Sequence, residues 1–278
     1  MLSRINVSDF DLAATLECGQ AFRWSRLGGT ADGWFRGVVG RRVLRIRQIG
    51  EVLEGDVDPH YFALDVSLSR VVATFPGDDV LQAAVKRHWG LRVLRQEPWE
   101  TLASFIASST KQIVQIRQIV ANLARRFGED HAFPSAEVIA RTPLADLAAC
   151  KLGFRAKYLL AAARTIDSGD IRLDQLPSME YERALEELMK LDGVGEKIAA
   201  CTLLFSCGHN EAFPIDVWVE RALRRLYFPG KKVTARQLRE FTRSHFGPYA
   251  GWAQQYLFFN ERTQNKGLQP STAGAMTP

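Results

Sequence analysis

The sequence predicts an α+β fold, an N-terminal antiparallel β-sheet domain followed by a mostly α-helical domain, and two patterns carry that expectation. Leu44 and Ile46 alternate with Arg45 and Arg47, the period-2 signature of a strand buried on one face. From about Pro98 the period changes: Trp99, Leu102, Phe105 and Ile106 recur at helical spacing, as do Ile113, Ile116, Ile119, Val120, Leu123 and Phe127. Nothing after Pro98 reads as a strand. We therefore expect a sheet domain over residues 1–92, a helical domain over 93–262, and a disordered tail over 263–278, where Gly, Ser, Thr and Pro accumulate.

In chain order, residues up to about 75 read as mostly strand. The run 33–40 leads into 41–47, with Val39-Gly40-Arg41 as a hairpin turn. Arg45 and Arg47 are expected on a solvated sheet face rather than against nucleic acid. Gly128 should act as the C-cap of the second helical run. Further helices are expected over 136–150, 155–168, 180–190, 196–207, 217–227, 234–245 and 248–260.

Bulk composition narrows the function classes only a little. The net charge of +5 suits a polyanionic partner, yet many soluble proteins are as basic. The four cysteines, Cys18, Cys150, Cys201 and Cys207, include no CxxC pair, so neither a disulfide framework, a zinc site nor a four-cysteine iron–sulfur cluster is encoded. The N-terminus lacks an apolar signal core and no stretch is long enough to cross a membrane, which predicts an intracellular protein.

Candidate chemistry gathers in the last third of the chain. Leu188–Ala199 carries an amphipathic helix through Gly193-Val194-Gly195 directly into a second helix. Glycines there leave successive N–H groups exposed at a helix N-terminus, a site for a phosphate that reads no sequence. The same residues fit an ordinary tight helix–turn–helix connection, and alone they leave both readings open. Lys197 sits in the first turn of the second helix, where a cation opposes the dipole. It is either a phosphate contact or, in a desolvated or cationic setting, an amine nucleophile able to form a Schiff base. Asp216 is placed as the N-cap of a later helix, with Pro214 just outside it. A carboxylate pinned there can also serve as a positioned base or as counter-charge to an oxocarbenium ion.

Leu191-Asp192-Gly193-Val194-Gly195-Glu196-Lys197, followed by Pro214-Ile215-Asp216-Val217, resembles the helix–hairpin–helix, Gly/Pro-rich loop and Asp signature of the HhH-GPD glycosylases. Within that superfamily the chain is similar, over nearly its whole length, to the eukaryotic-type 8-oxoguanine DNA glycosylases. Three more segments carry the likeness: 18–24 (CGQAFRW), 152–158 (LGFRAKY) and 247–254 (GPYAGWAQ). The resemblance implies a bifunctional glycosylase and AP lyase on double-stranded DNA, working as a monomer without cofactor or metal. It would reside with the DNA, in the cytoplasm or nucleoid if bacterial and in the nucleus if eukaryotic. Lys197 would attack C1′ of the damaged nucleotide, and Asp216 would assist it and stabilise the sugar cation. The Gly19 carbonyl would face N7 of the base, which is an acceptor in guanine but carries hydrogen in 8-oxoguanine. Gln254 would read the Watson–Crick edge, with Phe258 and Cys201 on the two faces of the flipped base. A thiol beside Lys197 is expected to tend toward thiolate. Without the resemblance, Phe258 and Cys201 would read as core residues.

The same resemblance locates the DNA contacts and a departure. Gly193, Val194 and Gly195 would hold backbone phosphate, Phe154 would wedge between bases, and Arg155 would contact the orphaned cytosine. Where the family carries asparagine and arginine for that cytosine, this chain has Thr110 and Gln115. That substitution predicts a relaxed opposite-base preference, because glutamine cannot reproduce the bidentate arginine fork. Trp218 stands where the family often has histidine. The rival readings are a glycosylase for an alkylated purine and a non-catalytic helix–hairpin–helix DNA-binding module.

Overall fold

The structure, a computed structural model, describes residues 3–28 and 33–264. Five strands, β1 (Ser3–Asn6), β2 (Ser25–Arg26), β3 (Phe35–Val39), β4 (Arg42–Ile49) and β5 (Val52–Gly55), form one antiparallel sheet in the order β1-β5-β4-β3-β2. The hairpin turn falls at Gly40-Arg41 as expected, with Val39 opposite Arg42. Leu44 and Ile46 face inward, onto a small core with Leu16, Trp24, Phe35, Leu53 and Phe62. On the other face Arg45 and Arg47 lie 5.4 and 4.7 Å over the Trp34 ring, and Arg47 pairs with Glu54.

The mostly-strand expectation for the first 75 residues is corrected by two short helices. In α1 (Leu12–Glu17) the Asp11 side chain accepts from the Ala14 N–H, and in α2 (Leu68–Val72) Ser67 does the same for Arg70. Side-chain caps at helix starts override a weak strand pattern. A further helix, α3 (Asp79–Arg87), follows. Leu68 and Val71 of α2 and Leu81, Ala84 and Val85 of α3 join the helical core, on the N-terminal side of the expected boundary at 92/93.

The remaining helices are α4 (Pro98–Ser108), α5 (Ile113–Phe127), α6 (Ala136–Arg141), α7 (Leu144–Leu147), α8 (Arg155–Asp167), α9 (Tyr181–Met189), α10 (Glu196–Ser206), α11 (Val217–Tyr227), α12 (Ala235–His245) and α13 (Ala250–Gln264). Glu97 caps α4 by accepting from the Trp99 and Glu100 N–H groups, and Pro98 occupies the first turn, where no donor is needed. Helices α4 and α10 are buried nearly all round and pack together at the centre.

Two sequence expectations need revision, and a third, the Gly128 cap, holds for a different reason. The helix expected over 136–150 breaks at Thr142, because Pro143 drives the preceding residue into extended geometry. It restarts as α7 and ends in a π-helical turn, Ala148–Leu152. Gly128 does cap α5, but with φ −86° rather than a left-handed angle. Its glycine is needed for space, since a Cβ there would lie 2.0 Å from the Ala132 carbonyl oxygen. The last helix runs on to Gln264, so Thr263 is helical, its hydroxyl donating to the Phe259 carbonyl. The rest of the expected tail, 265–278, lies outside the described residues. No helix among the described residues is long and apolar enough to cross a membrane.

Candidate active site

The turn between α9 and α10 is a tight hairpin in which the Val194 N–H donates to the Leu191 carbonyl at 3.0 Å. Gly193 is required there twice over. Its φ is +77°, and a Cβ would lie 2.5 Å from the Tyr158 ring packed beneath it. Gly195 differs from expectation: its backbone is extended, at φ −95° and ψ 177°, an angle any residue can adopt. Open space surrounds the position of its missing side chain, so this glycine leaves the N-terminus of α10 uncovered.

Lys197, half-buried one position into α10, points back across α4. Its Nζ lies 3.5 Å from the Ser108 Oγ and 4.7 Å from the Phe105 ring centroid, and its charge reaches the Cys201 thiol one turn on. Among the described residues no carboxylate stands within ion-pair distance of it. Asp216 is the N-cap of α11 as predicted, its Oδ1 accepting from the Val219 N–H at 2.8 Å. Its field and that of Lys197 both reach Cys201. The expected thiolate is corrected. Burial pushes the Cys201 thiol up to about 11, outweighing the Lys197 charge, and Asp216 pushes the same way. Cys201 is therefore a neutral, packed thiol at physiological pH.

The expected base-recognition residues also converge. Gly19 has φ +91°, and its α-carbon faces the Phe258 ring, Ile113 and Arg262. A Cβ on Gly19 would stand 3.4 Å from Phe258 and 2.8 Å from Ile113. Gln20 holds this loop in place. Its amide nitrogen donates to the carbonyls of Thr15 and Arg92, its Oε1 accepts from the Leu94 N–H, and its own carbonyl accepts from Gln96. Arg262 adds a bond to the Glu17 carbonyl. Gln254 and Phe258 share a face of α13, which docks against α10 at Gly251, whose N–H donates to Asn210. Gln254 is buried, and its Oε1 has no hydrogen-bond partner among the described residues.

On the same side as the hairpin, Phe154 is 59% exposed, a large aromatic ring left in solvent. It meets Tyr158 edge-on at 6.3 Å, and Tyr158 in turn supports Gly193. Val194 is buried within the hairpin. The guanidinium of Arg155 is occupied within the chain. It donates to the carbonyls of Ser109 and Leu152 and to the Thr110 hydroxyl, and it is 3% exposed. Thr110 has φ +56°, costly for a β-branched residue. Gln115 is exposed, and its Oε1 accepts from the Gln112 N–H at the start of α5. Trp218 is also exposed, with Arg221 over its ring at 5.7 Å.

Residues 103–248 match the model of the HhH-GPD superfamily of base excision DNA repair proteins, a stretch that spans the hairpin, Lys197 and Asp216 together. The chain belongs to that superfamily. Residues 3–58 and 55–102 match the N-terminal domain of 8-oxoguanine DNA glycosylase, which places it in that branch. The N-glycosylase/DNA lyase of Saccharomyces cerevisiae is 31% identical over 92% of this chain and 85% of its own length. Among solved structures, MBOgg1 with a low-affinity DNA ligand superposes with a TM-score of 0.90 at 34% identity, covering 95% of this chain and 96% of that one. The Clostridium acetobutylicum 8-oxoguanine glycosylase/lyase, bound to duplex DNA with cytosine opposite 8-oxoguanine, gives 0.86 at 31% identity over 95% and 98%.

As a member of the HhH-GPD superfamily the chain carries the expected hairpin, but the structure adds residues that the motifs did not mark. Phe105 and Ser108 lie on α4, far from Lys197 in sequence, and their apolar or small character made them indistinguishable from core. Gln20 was read only as part of a motif. Its role shows in a feature no spacing reveals, a polar side chain 1% exposed with every bond satisfied internally.

Proposed function

We propose that this chain excises 8-oxoguanine from double-stranded DNA and then nicks the strand, through a Schiff base formed by Lys197. The observation that carries this reading is an amine with no ion-pair partner among the described residues, at the start of the helix that follows the phosphate-binding hairpin, with the Asp216 carboxylate pinned at a neighbouring helix start. The Lys197 nitrogen bonds to C1′ as the bond from C1′ to the base breaks and the base leaves with the electron pair. Asp216 offsets the positive charge growing on the sugar. Sugar-ring opening gives the iminium, and loss of a C2′ proton expels the 3′ phosphate. Gly193, Val194 and Gly195 hold a backbone phosphate through amide donors, and Phe154 fills the gap left by the flipped nucleotide.

Selectivity for the oxidised base follows from the pocket. The Gly19 carbonyl accepts from the N7 hydrogen that guanine lacks, Phe258 stacks on the ring, and Cys201 covers the other face as a neutral thiol. The orphaned Gln254 Oε1 supports its assignment to the Watson–Crick edge, since a buried acceptor without a partner costs about 1–3 kcal/mol that a base N–H recovers. A monomer suffices for one damaged nucleotide, and the protein acts wherever the cell keeps its DNA. Incubating a duplex carrying one 8-oxoguanine with the protein and borohydride tests the reading. A covalent adduct is expected. Free base without adduct would mean that Asp216 activates water instead, and binding without either would favour an alkylated-purine substrate or a non-catalytic module.

Opposite-base preference is expected to be weak. Gln115 is turned back to cap α5 and Arg155 is spent on Ser109, Leu152 and Thr110, so no free arginine fork faces the orphaned base. Excision rates opposite the four bases should therefore differ by less than about tenfold, the scale of one lost bidentate contact. A drop well beyond that for every partner except cytosine overturns the expectation.

A further inference from the structure

We infer that Phe105 is a positioning residue for Lys197: its ring face holds the lysine ammonium over α4 in the resting enzyme, in place of a carboxylate counter-ion. This rests on Lys197 being the nucleophile.

The geometry points to the ring because the other partners are weak. The Ser108 hydroxyl is at 3.5 Å, the outer limit of a hydrogen bond, and the Cys201 thiol is neutral. The Phe105 centroid lies 4.7 Å from Nζ, well inside the range in which an aromatic quadrupole attracts a cation. The ring is itself fixed, stacked on Phe205 at 5.6 Å and met edge-on by Phe22 at 5.5 Å. Other charged groups near Lys197 are engaged elsewhere. Glu196 on its own helix pairs with Arg239 of α12, and Glu187 of α9 pairs with Lys190. On α4, Glu97 caps the helix start and Glu100 meets Arg23. Asp216 of α11 is bound to the Val219 N–H.

The arrangement suits a nucleophilic amine. A salt bridge would fix the ammonium but make its proton costly to remove, whereas a ring face orients the charge and releases it more easily. Phe22 follows the Gly19 loop by three residues, so the ring stack also ties the lysine to the base-recognition loop.

Fluorination separates this role from packing, because it withdraws electron density from the ring face while changing its shape little. Phe105 is replaced by mono-, di- and pentafluorinated phenylalanine, and two quantities are followed. One is the titration midpoint of the Lys197 amine in the unliganded protein, read by NMR of isotopically labelled lysine. The other is the acid limb of borohydride trapping on an abasic duplex. Both should move stepwise to lower pH, by roughly 0.4 to 1.5 units across the series, the shift that a contact of about 0.5–2 kcal/mol gives at 1.36 kcal/mol per unit. An unmoved midpoint overturns the contact. A midpoint that moves while the trapping profile stays still overturns the positioning role. If the unmodified protein gives no adduct at all, the nucleophile reading fails and the positioning role falls with it, while the NMR series still reports the contact.

Discussion

Lys197→Gln should abolish the borohydride-trapped adduct and lower base excision by roughly 10² to 10⁴, while duplex binding stays within a few-fold of wild type. Glutamine is one atom shorter than lysine but keeps a polar end at the same site, and its amide nitrogen has no lone pair able to form an iminium. The hairpin amides, proposed to hold phosphate independently of Lys197, are untouched. Single-turnover excision on an 8-oxoguanine duplex, with trapping and a gel-shift titration on the same samples, checks all three. Retained trapping would place the nucleophile elsewhere. A collapse in binding would make Lys197 a phosphate contact instead.

Asp216→Asn isolates the charge from the cap. Asparagine accepts from the Val219 N–H as well as aspartate does, so α11 should start normally and thermal stability should change little. The anion proposed to offset the sugar cation is lost, and excision should fall by about 10² to 10³. Asp216→Ala removes both, with a comparable loss of excision and about 1 kcal/mol of destabilisation in addition. Denaturation curves and single-turnover rates on the two variants form the test. If asparagine excises at the wild-type rate, the cap is the whole role of Asp216.

The sequence made some of this legible and hid the rest for physical reasons. Period changes located the sheet and most helices, because burial of one face imposes its repeat on the residues themselves. The hairpin was visible through Gly193, whose positive φ and contact with Tyr158 exclude other side chains. The α1 and α2 helices were missed because their evidence is a single capping side chain each. The state of Cys201 was misjudged because neighbour spacing reveals a nearby cation but not the burial that outweighs it. The expectation that Arg155 meets DNA said nothing of its partners within the chain. Only the fold shows that the loop carrying Ser109 and Thr110 closes over its guanidinium. Contacts across distant segments, Phe105 to Lys197 above all, leave no trace in local pattern.

Gln20 binds α1 on one side and the stretch leading to α4 on the other, so the single carbonyl beside it is set by the seam between the two cores. Under the proposed base recognition, the sheet layer acts as a gauge rather than as a tool: it would touch no reacting atom, yet would fix how finely one hydrogen on a purine is sensed. The proposed cutting residues stand on separate footings, at the starts of α10 and α11. On that division, substitutions in the sheet layer should blunt discrimination and substitutions at the starts of α10 and α11 should blunt cleavage.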